Sequence, residues 1–154
     1  MMGVIAKYKF DSSLCEDFIP EFNSEFTDYT ISDVANGDNT ITRTISHDTL
    51  KPTLIRFGQR DDTSYANLGS IALLEVMELD TSSITSMYDM FRLCTNLTSI
   101  TCNWQTSNAT NMICTFESCT SLTSLDVSNF STSNVTSMSS MFYNCPSLTS
   151  LDVA

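Results

Sequence analysis

The chain has 154 residues, 42% of them hydrophobic and only 16% charged, and its 18 acids outweigh 7 Lys and Arg to a formal net charge of −11. That length suits one ordinary domain, or a small domain joined to a short repeat array, and so low a charged fraction excludes a highly charged disordered tail. The absence of a basic footprint argues strongly against a nucleic-acid partner and disfavours docking on anionic lipid; no apolar run nears the roughly eighteen residues of a transmembrane helix, so no membrane insertion is expected.

Residues 1–6 are apolar and precede Lys7 and Lys9, whereas a secretory leader places its basic residues first. The chain is therefore expected to act inside the cell that makes it, to leave by another route, or to have lost a leader. Residues 4–10, 29–34 and 40–45 alternate, and the last two segments flank Asn36-Gly37, which suits the positive dihedrals of a tight hairpin. Leu54 to Phe57 reads as a further strand after Pro52, and 59–70, with Asp61, Asp62 and Gly69, reads as a loop. Residues 1–70 are thus expected to form a small β-rich N-terminal cap over the segment that begins at residue 71; an independently folded binding or attachment domain is the rival.

From residue 71 the chain repeats itself. Units opening near 71, 97, 122 and 148 are spaced by 26, 25 and 26 residues, the middle one being a residue short between Ile100 and Trp104. Apolar columns recur: Ile71, Leu97, Leu122 and Leu148; Leu74, Ile100, Leu125 and Leu151; Val76, Cys102, Val127 and Val153. Later in each unit come Met87, Met112 and Met138, then Phe91, Phe116 and Phe142, then Cys94, Cys119 and Cys145. The Leu-x-Val step has period two and reads as a short strand, while Met138, Met141 and Phe142 are spaced as on one helix face. Thr85, Thr110 and Thr136 stand where a hydroxyl could cap such a helix. One strand and one helical turn cannot bury their own apolar face but stacked copies can. The predicted fold class is therefore an α/β leucine-rich-repeat solenoid over residues 71–154, with a parallel sheet on one face and short helices on the other.

The run LTSLDVSNFSTSNVTSMSSMFYNC at 122–145 resembles the BspA-type leucine-rich-repeat surface proteins, which are also abundant in mycoplasmas. The resemblance extends over residues 71–154 and is looser in the first two units. It implies a bacterial, protozoal or phage-encoded surface protein that adheres to host components, with no catalytic residues to carry over.

Catalytic motifs are lacking. The lone histidine, His47, sits in a polar Ser46-His47-Asp48 stretch and reads as a surface residue; no nucleophile elbow, zinc-protease helix or phosphate-binding glycine loop occurs. Cys94, Cys119 and Cys145 fall in one column, and parallel side chains on stacked strands suit a disulfide badly, so a reduced ladder in the core is expected. A bridge between Cys15 and Cys114, the two outside the frame, is the weaker option, and zinc knuckle spacing is absent. The Met and Phe columns and Trp104 read as core. Sequons beginning at Asn96, Asn108, Asn129 and Asn134 fall inside the repeat and read as turn chemistry. Asp33, Asn36 and Asp38 at the hairpin tip read the same way rather than as a calcium loop.

One column invites a binding role. Glu75, Thr101, Asp126 and Asp152 lie between the buried strand positions, so on stacked strands they would form an outward stripe able to meet a basic or polyhydroxyl ligand, or share a cation. A solvated stripe bonded to nearby Ser and Thr is the alternative. The expected function is a non-catalytic binding or adhesion module with no cofactor and no metal, at a cell surface, extracellularly or on a virion, phage or prophage encoding being favoured. Its partner would be a protein or glycan on a cell surface. A spacer or assembly strut that self-associates end to end through the last repeat is the alternative, and a carboxylate-pair hydrolase before residue 70 is the remaining rival.

Overall fold

Strand β1 (Gly3–Asp11) buries Ala6, Tyr8 and Phe10 and turns Lys7 and Lys9 away, so one face of the sheet it joins becomes core. The computed structural model describes residues 2–59 and 68–152. In it β1 pairs antiparallel with β4 (Thr40–His47), which pairs antiparallel with β3 (Tyr29–Ala35). On its other side β1 pairs antiparallel with β6 (Leu73–Leu79), and β6 pairs parallel with β7 (Ser99–Ile100). The resulting five-stranded sheet has the order β3-β4-β1-β6-β7 and runs without a break from residue 3 into the first repeat unit. Two small pairs complete the strands: β2 (Glu21–Phe22) with β5 (Ile55–Arg56), and β8 (Ser124–Asp126) with β9 (Ser150–Asp152). Among the described residues a single short helix, α1 (Leu68–Ala72), leads into β6. No helix among the described residues is long and apolar enough to cross a membrane. Of the expected loop, residues 60–67 lie outside the described residues, as do Val153 of the third column and Ala154.

The expected hairpin forms, but Asn36-Gly37 is not its tight turn. The positive φ values fall at Gly37 (80°) and Asn39 (62°), around a loop of three residues that Asn36 N–H closes by donating to the Thr40 carbonyl at 3.0 Å. Asp38 accepts from both the Thr40 amide and hydroxyl, which holds the loop shut.

The α/β leucine-rich-repeat solenoid expected for 71–154 is overturned. The molecule is a small β-rich domain of mixed, largely antiparallel sheet with almost no helix. No helix forms where Met and Phe recur at helical spacing, for a reason visible in the backbone. Each unit carries two non-glycine residues with positive φ, four apart: Asp89 and Leu93, Cys114 and Ser118, Ser140 and Asn144. A right-handed helix cannot pass through such residues. Nor are the amides free for i−4 bonding, because Met87, Asp89, Phe91 and Leu93 donate to the carbonyls of Asn111, Ile113, Thr115 and Glu117 in the next unit. Met112, Cys114, Phe116 and Ser118 donate in the same way to Ser137, Ser139, Met141 and Tyr143. The expected continuous parallel sheet is likewise replaced by two separate short parallel pairs, β6–β7 and β8–β9.

The threonines expected as helix caps have a different partner. Thr85, Thr110 and Thr136 each aim both amide and hydroxyl at a single carbonyl one unit back, of Thr53, Thr85 and Thr110 respectively. Asn96, Asn108 and Asn134 also reach back, their Nδ2 atoms donating to the carbonyls of Ile71, Ser82 and Ser107. The polar residues of the repeat thus tie unit to unit and do not merely shape their own turns.

The apolar columns form the core in the first two units, but Met138, expected there as core, is 50% exposed, and Ile71 and Leu151 are exposed as well. Met87, Phe91, Cys94 and Leu97 are fully buried, as are Met112, Phe116, Cys119 and Leu122. Phe57, Phe91, Phe116 and Phe142 stack face to face with centroids 5.3, 5.6 and 5.5 Å apart. Each such pair contributes about 0.5–1.5 kcal/mol beyond its area burial. Phe57 belongs to the N-terminal half and makes T-shaped contacts with Tyr8 and Phe18, so one aromatic cluster joins the first strand to the repeats. Gly58 follows it where a Cβ would lie 2.3 Å from Arg92 N and 2.4 Å from Asp89 O, and only glycine allows that approach.

On the far side of β1, Arg43 is 5% exposed and forks onto Asp33, with Nε at 2.8 Å and Nη2 at 2.6 Å. Its Nη1 reaches Asp17 and the Phe18 carbonyl, and its plane lies over the Phe10 ring. Planar bidentate pairing of this kind needs Arg and not Lys.

Candidate functional site

The four residues of the expected stripe do not form one row. Asp126 and Asp152 are direct neighbours across the parallel β8–β9 pair, in step with Ser124 opposite Ser150. Asp126 is exposed while Leu125 beside it is buried, so β8 turns the Asp126 carboxylate to solvent; of Asp152 the backbone alone is described. Thr101 is exposed just beyond β7, its amide donating to the Val76 carbonyl at 2.8 Å. Glu75 is out of step with Thr101. It stands opposite Ser99 on one side and Lys9 on the other, because β6 pairs with β7 two residues away from the alignment that the repeat suggests. Ile71, the first residue of the expected column, is correspondingly exposed, and Leu73 is buried in its place.

Asp126 is part of a recurring local device. Its Oδ1 accepts from the Ser128 amide at 2.9 Å and the Ser128 hydroxyl at 2.6 Å, and these bonds hold the carboxyl below its ordinary pKa. Asp11 with Ser13 and Asp80 with Ser82 repeat the arrangement. An Asp-x-Ser step therefore makes its own turn and stays ionised. The only base in residues 71–152 is Arg92, and its Nε lies 3.4 Å from Glu117 and 3.8 Å from the buried Asp89. Among the described residues no ion pair reaches the Asp126 carboxylate.

Thr101 belongs to a second feature, a groove of about 440 Å³ where the first strand meets the repeats. Lys51, Glu78, Asp80, Cys102 and Gln105 share its walls. Lys51 Nζ lies 2.8 Å from Asp80 Oδ2 and donates to Ser82 Oγ at 2.9 Å. Burial pushes the Asp80 carboxyl up, but the bonds from Lys51 and Ser82 outweigh it and the net shift is downward. The Cys102 thiol bonds the Leu79 carbonyl at 3.3 Å and is pushed up to about 12 by burial. Sequence reasoning identified Thr101 alone among these residues, since Lys51 reaches the groove only through the fold of the N-terminal half.

Burial holds several of the thiols protonated. All six cysteines are free thiols, and burial raises Cys94 and Cys119, with Cys114 pushed up to about 12. A thiol held protonated is a poor nucleophile and metal ligand. His47, read from sequence as a surface residue, is 8% exposed at the end of β4, paired with Gly3 and Tyr29. Its imidazole occupies the space that a Cβ at Gly3 would enter, 2.7 Å from Nε2. No three His, Cys, Asp or Glu side chains among the described residues converge as a metal site. Trp104 is packed edge-on to Phe116 and Phe130, so it offers no open platform for a sugar ring. What these surfaces hold is carboxylates, hydroxyls and amides, the chemistry of hydrogen-bonded and charge-based recognition.

A family model described as "Mycoplasma protein of unknown function, DUF285" matches residues 62–152, more than half of the chain. No curated protein and no solved structure matches it.

Proposed function

Since the chain belongs to that DUF285 family, we propose that it is a non-catalytic binding module of the BspA type, displayed on a cell or virion surface and recognising a protein or glycan on another cell. One observation carries this reading. Asp126 and Asp152 stand opposite one another across a parallel pair, Asp126 is exposed, and among the described residues no ion pair reaches it. Neighbouring parallel strands are about 4.8 Å apart, so like charges in register repel, a cost that the turn Asp126 closes with Ser128 does not require Asp152 to share. A ligand bearing ammonium or guanidinium groups, or a hydroxyl-rich glycan, would relieve that cost. The groove beside Thr101 offers a second contact of the same polarity.

The test is saturable binding of labelled protein to bacterial and to epithelial cells, with calcium and chelator arms. Binding to one cell type that is lost in the Asp126→Asn, Asp152→Asn double variant is expected. Absence of binding to both, or binding indifferent to the double variant, overturns the assignment.

A second reading, a structural strut that self-associates through its last unit, has its own observation. Met138 and Tyr143 are 50% and 66% exposed, and a hollow of about 230 Å³ between Val127, Phe130 and Phe142 lies beside Met138. A concentration-dependent mass that Met138→Lys abolishes would favour it; a strict monomer would remove it.

A further inference from the structure

β3 is the outermost strand of the five-stranded sheet, and residues 30–35 are all exposed. Edge strands in soluble proteins are commonly blunted by lysine, proline, a bulge or shortness. β3 has none of these devices: it is seven residues long, contains no Lys or Pro, and pairs with β4 without a register shift. Its one charge, Asp33, is held by Arg43. Asn36 and Thr40 form the hydrogen-bonded pair at the hairpin end, so Val34, Ser32 and Thr30 direct their backbone groups to β4. By the alternation of an antiparallel ladder, Ile31, Asp33 and Ala35 point theirs outward. Among the described residues no backbone hydrogen bond meets that outer row. Ile31 and Val34, 39% and 61% exposed, add apolar side chains on its two faces.

The charge around the edge selects its occupant. Between Lys9 and Arg43 the sequence holds eight acids and no base. Asp28 and Asp48 bracket one end of the hairpin and Asp38 the other, all exposed. The nearby arginines are already neutralised, Arg43 by Asp17 and Asp33, and Arg56 by Glu21. A second copy would bring the same acids to the same edge and be repelled. We propose that the outer edge of β3 docks an extended, basic segment of a partner polypeptide, which adds as a further strand.

The probe is a fluorescein-labelled heptapeptide alternating Lys with Val and Thr, followed by anisotropy, with an acidic counterpart in which Glu replaces Lys. Saturable binding of the basic peptide, weakened by salt and absent for the acidic one, is expected. Ile31→Pro removes an outward N–H without touching the β4 ladder, and should weaken binding at least about ten-fold with the thermal melt retained. Val34→Lys leaves the backbone intact and places a like charge beside the peptide, so it should weaken binding even if the proline variant fails to fold. Equal affinity in a folded Ile31→Pro protein, equal binding of the acidic peptide, no binding of either, or a dimer that Ile31→Pro dissolves would each overturn the proposal.

Discussion

The ring of Phe57 lies parallel to that of Phe91, centroids 5.3 Å apart and planes 7° apart, although the repeat pattern starts only at residue 71. Thr53, four residues before Phe57, accepts from Thr85 as Thr85 accepts from Thr110. Residues 53–59 thus act as a first rung for the repeat units, reached from the N-terminal half. Phe57 is fully buried and touches Tyr8 and Phe18 as well as Phe91.

Phe57→Ala should therefore cost about 3–5 kcal/mol, the range for emptying an aromatic site in a core. Phe57→Leu, which keeps most of the volume, should cost clearly less. Urea denaturation of the two variants checks this. A loss below about 1 kcal/mol for the alanine variant would mean that the two halves are not joined through this ring.

The two substitutions Gly58→Ala and Gly37→Ala separate close approach from backbone strain. At Gly58 the new Cβ meets backbone atoms of Arg92 and Asp89 at 2.3–2.7 Å, which no rotamer change can relieve. At Gly37, with φ of 80°, nothing lies within 4 Å, and the cost is the left-handed strain of roughly 1–2 kcal/mol. The Gly58 variant should be the less stable of the two, with a lower urea midpoint. The reverse order would show that the Arg92 turn yields easily.

The strands of the N-terminal half and the buried columns of the repeat were legible because alternation and spacing report burial directly. Met87 with Met112 and Phe91 with Phe116 are buried together at their predicted spacing. The absence of helices from the repeat was not legible, because Asp89, Leu93, Cys114 and Ser118 adopt positive φ without the Gly that would announce it. Periodicity of three and four describes which residues go inside, and a chain of turns donating to the next unit satisfies it as well as a helix does. The neighbouring positions of Asp126 and Asp152 followed from the repeat length, whereas Glu75 left the row because β6 is registered by two bulged junctions with β1. Long-range pairing of that kind leaves no local mark.

Acid should reveal the Asp80 link between the halves. Burial opposes its ionisation, yet Lys51 and Ser82 hold the folded carboxyl below its ordinary value. The unfolded carboxyl titrates near about 3.9. A folded pKa below the unfolded one gives stability that is complete above the unfolded value and lost as pH falls through the folded one. The stability gap between the native protein and Asp80→Asn should therefore be constant from neutral pH to about 5 and shrink below about 4. Urea midpoints across that range measure it, and a gap that widens on acidification would contradict the assignment.

Thiol reactivity reports whether the cysteine column is sealed. Cys94 and Cys119 are fully buried, and Cys119 Sγ donates to the Phe91 carbonyl at 3.2 Å. Desolvation raises both thiols, and a thiolate is the species that attacks a disulfide reagent. At pH 8 an aromatic disulfide reagent should leave Cys94 and Cys119 unmodified in the native protein, and all six cysteines should react once urea is added. Mass mapping of alkylated peptides identifies which residues were protected. Rapid native labelling of Cys94, which lies between the Phe57 and Phe116 rungs, would require that the stack open well below the global unfolding free energy.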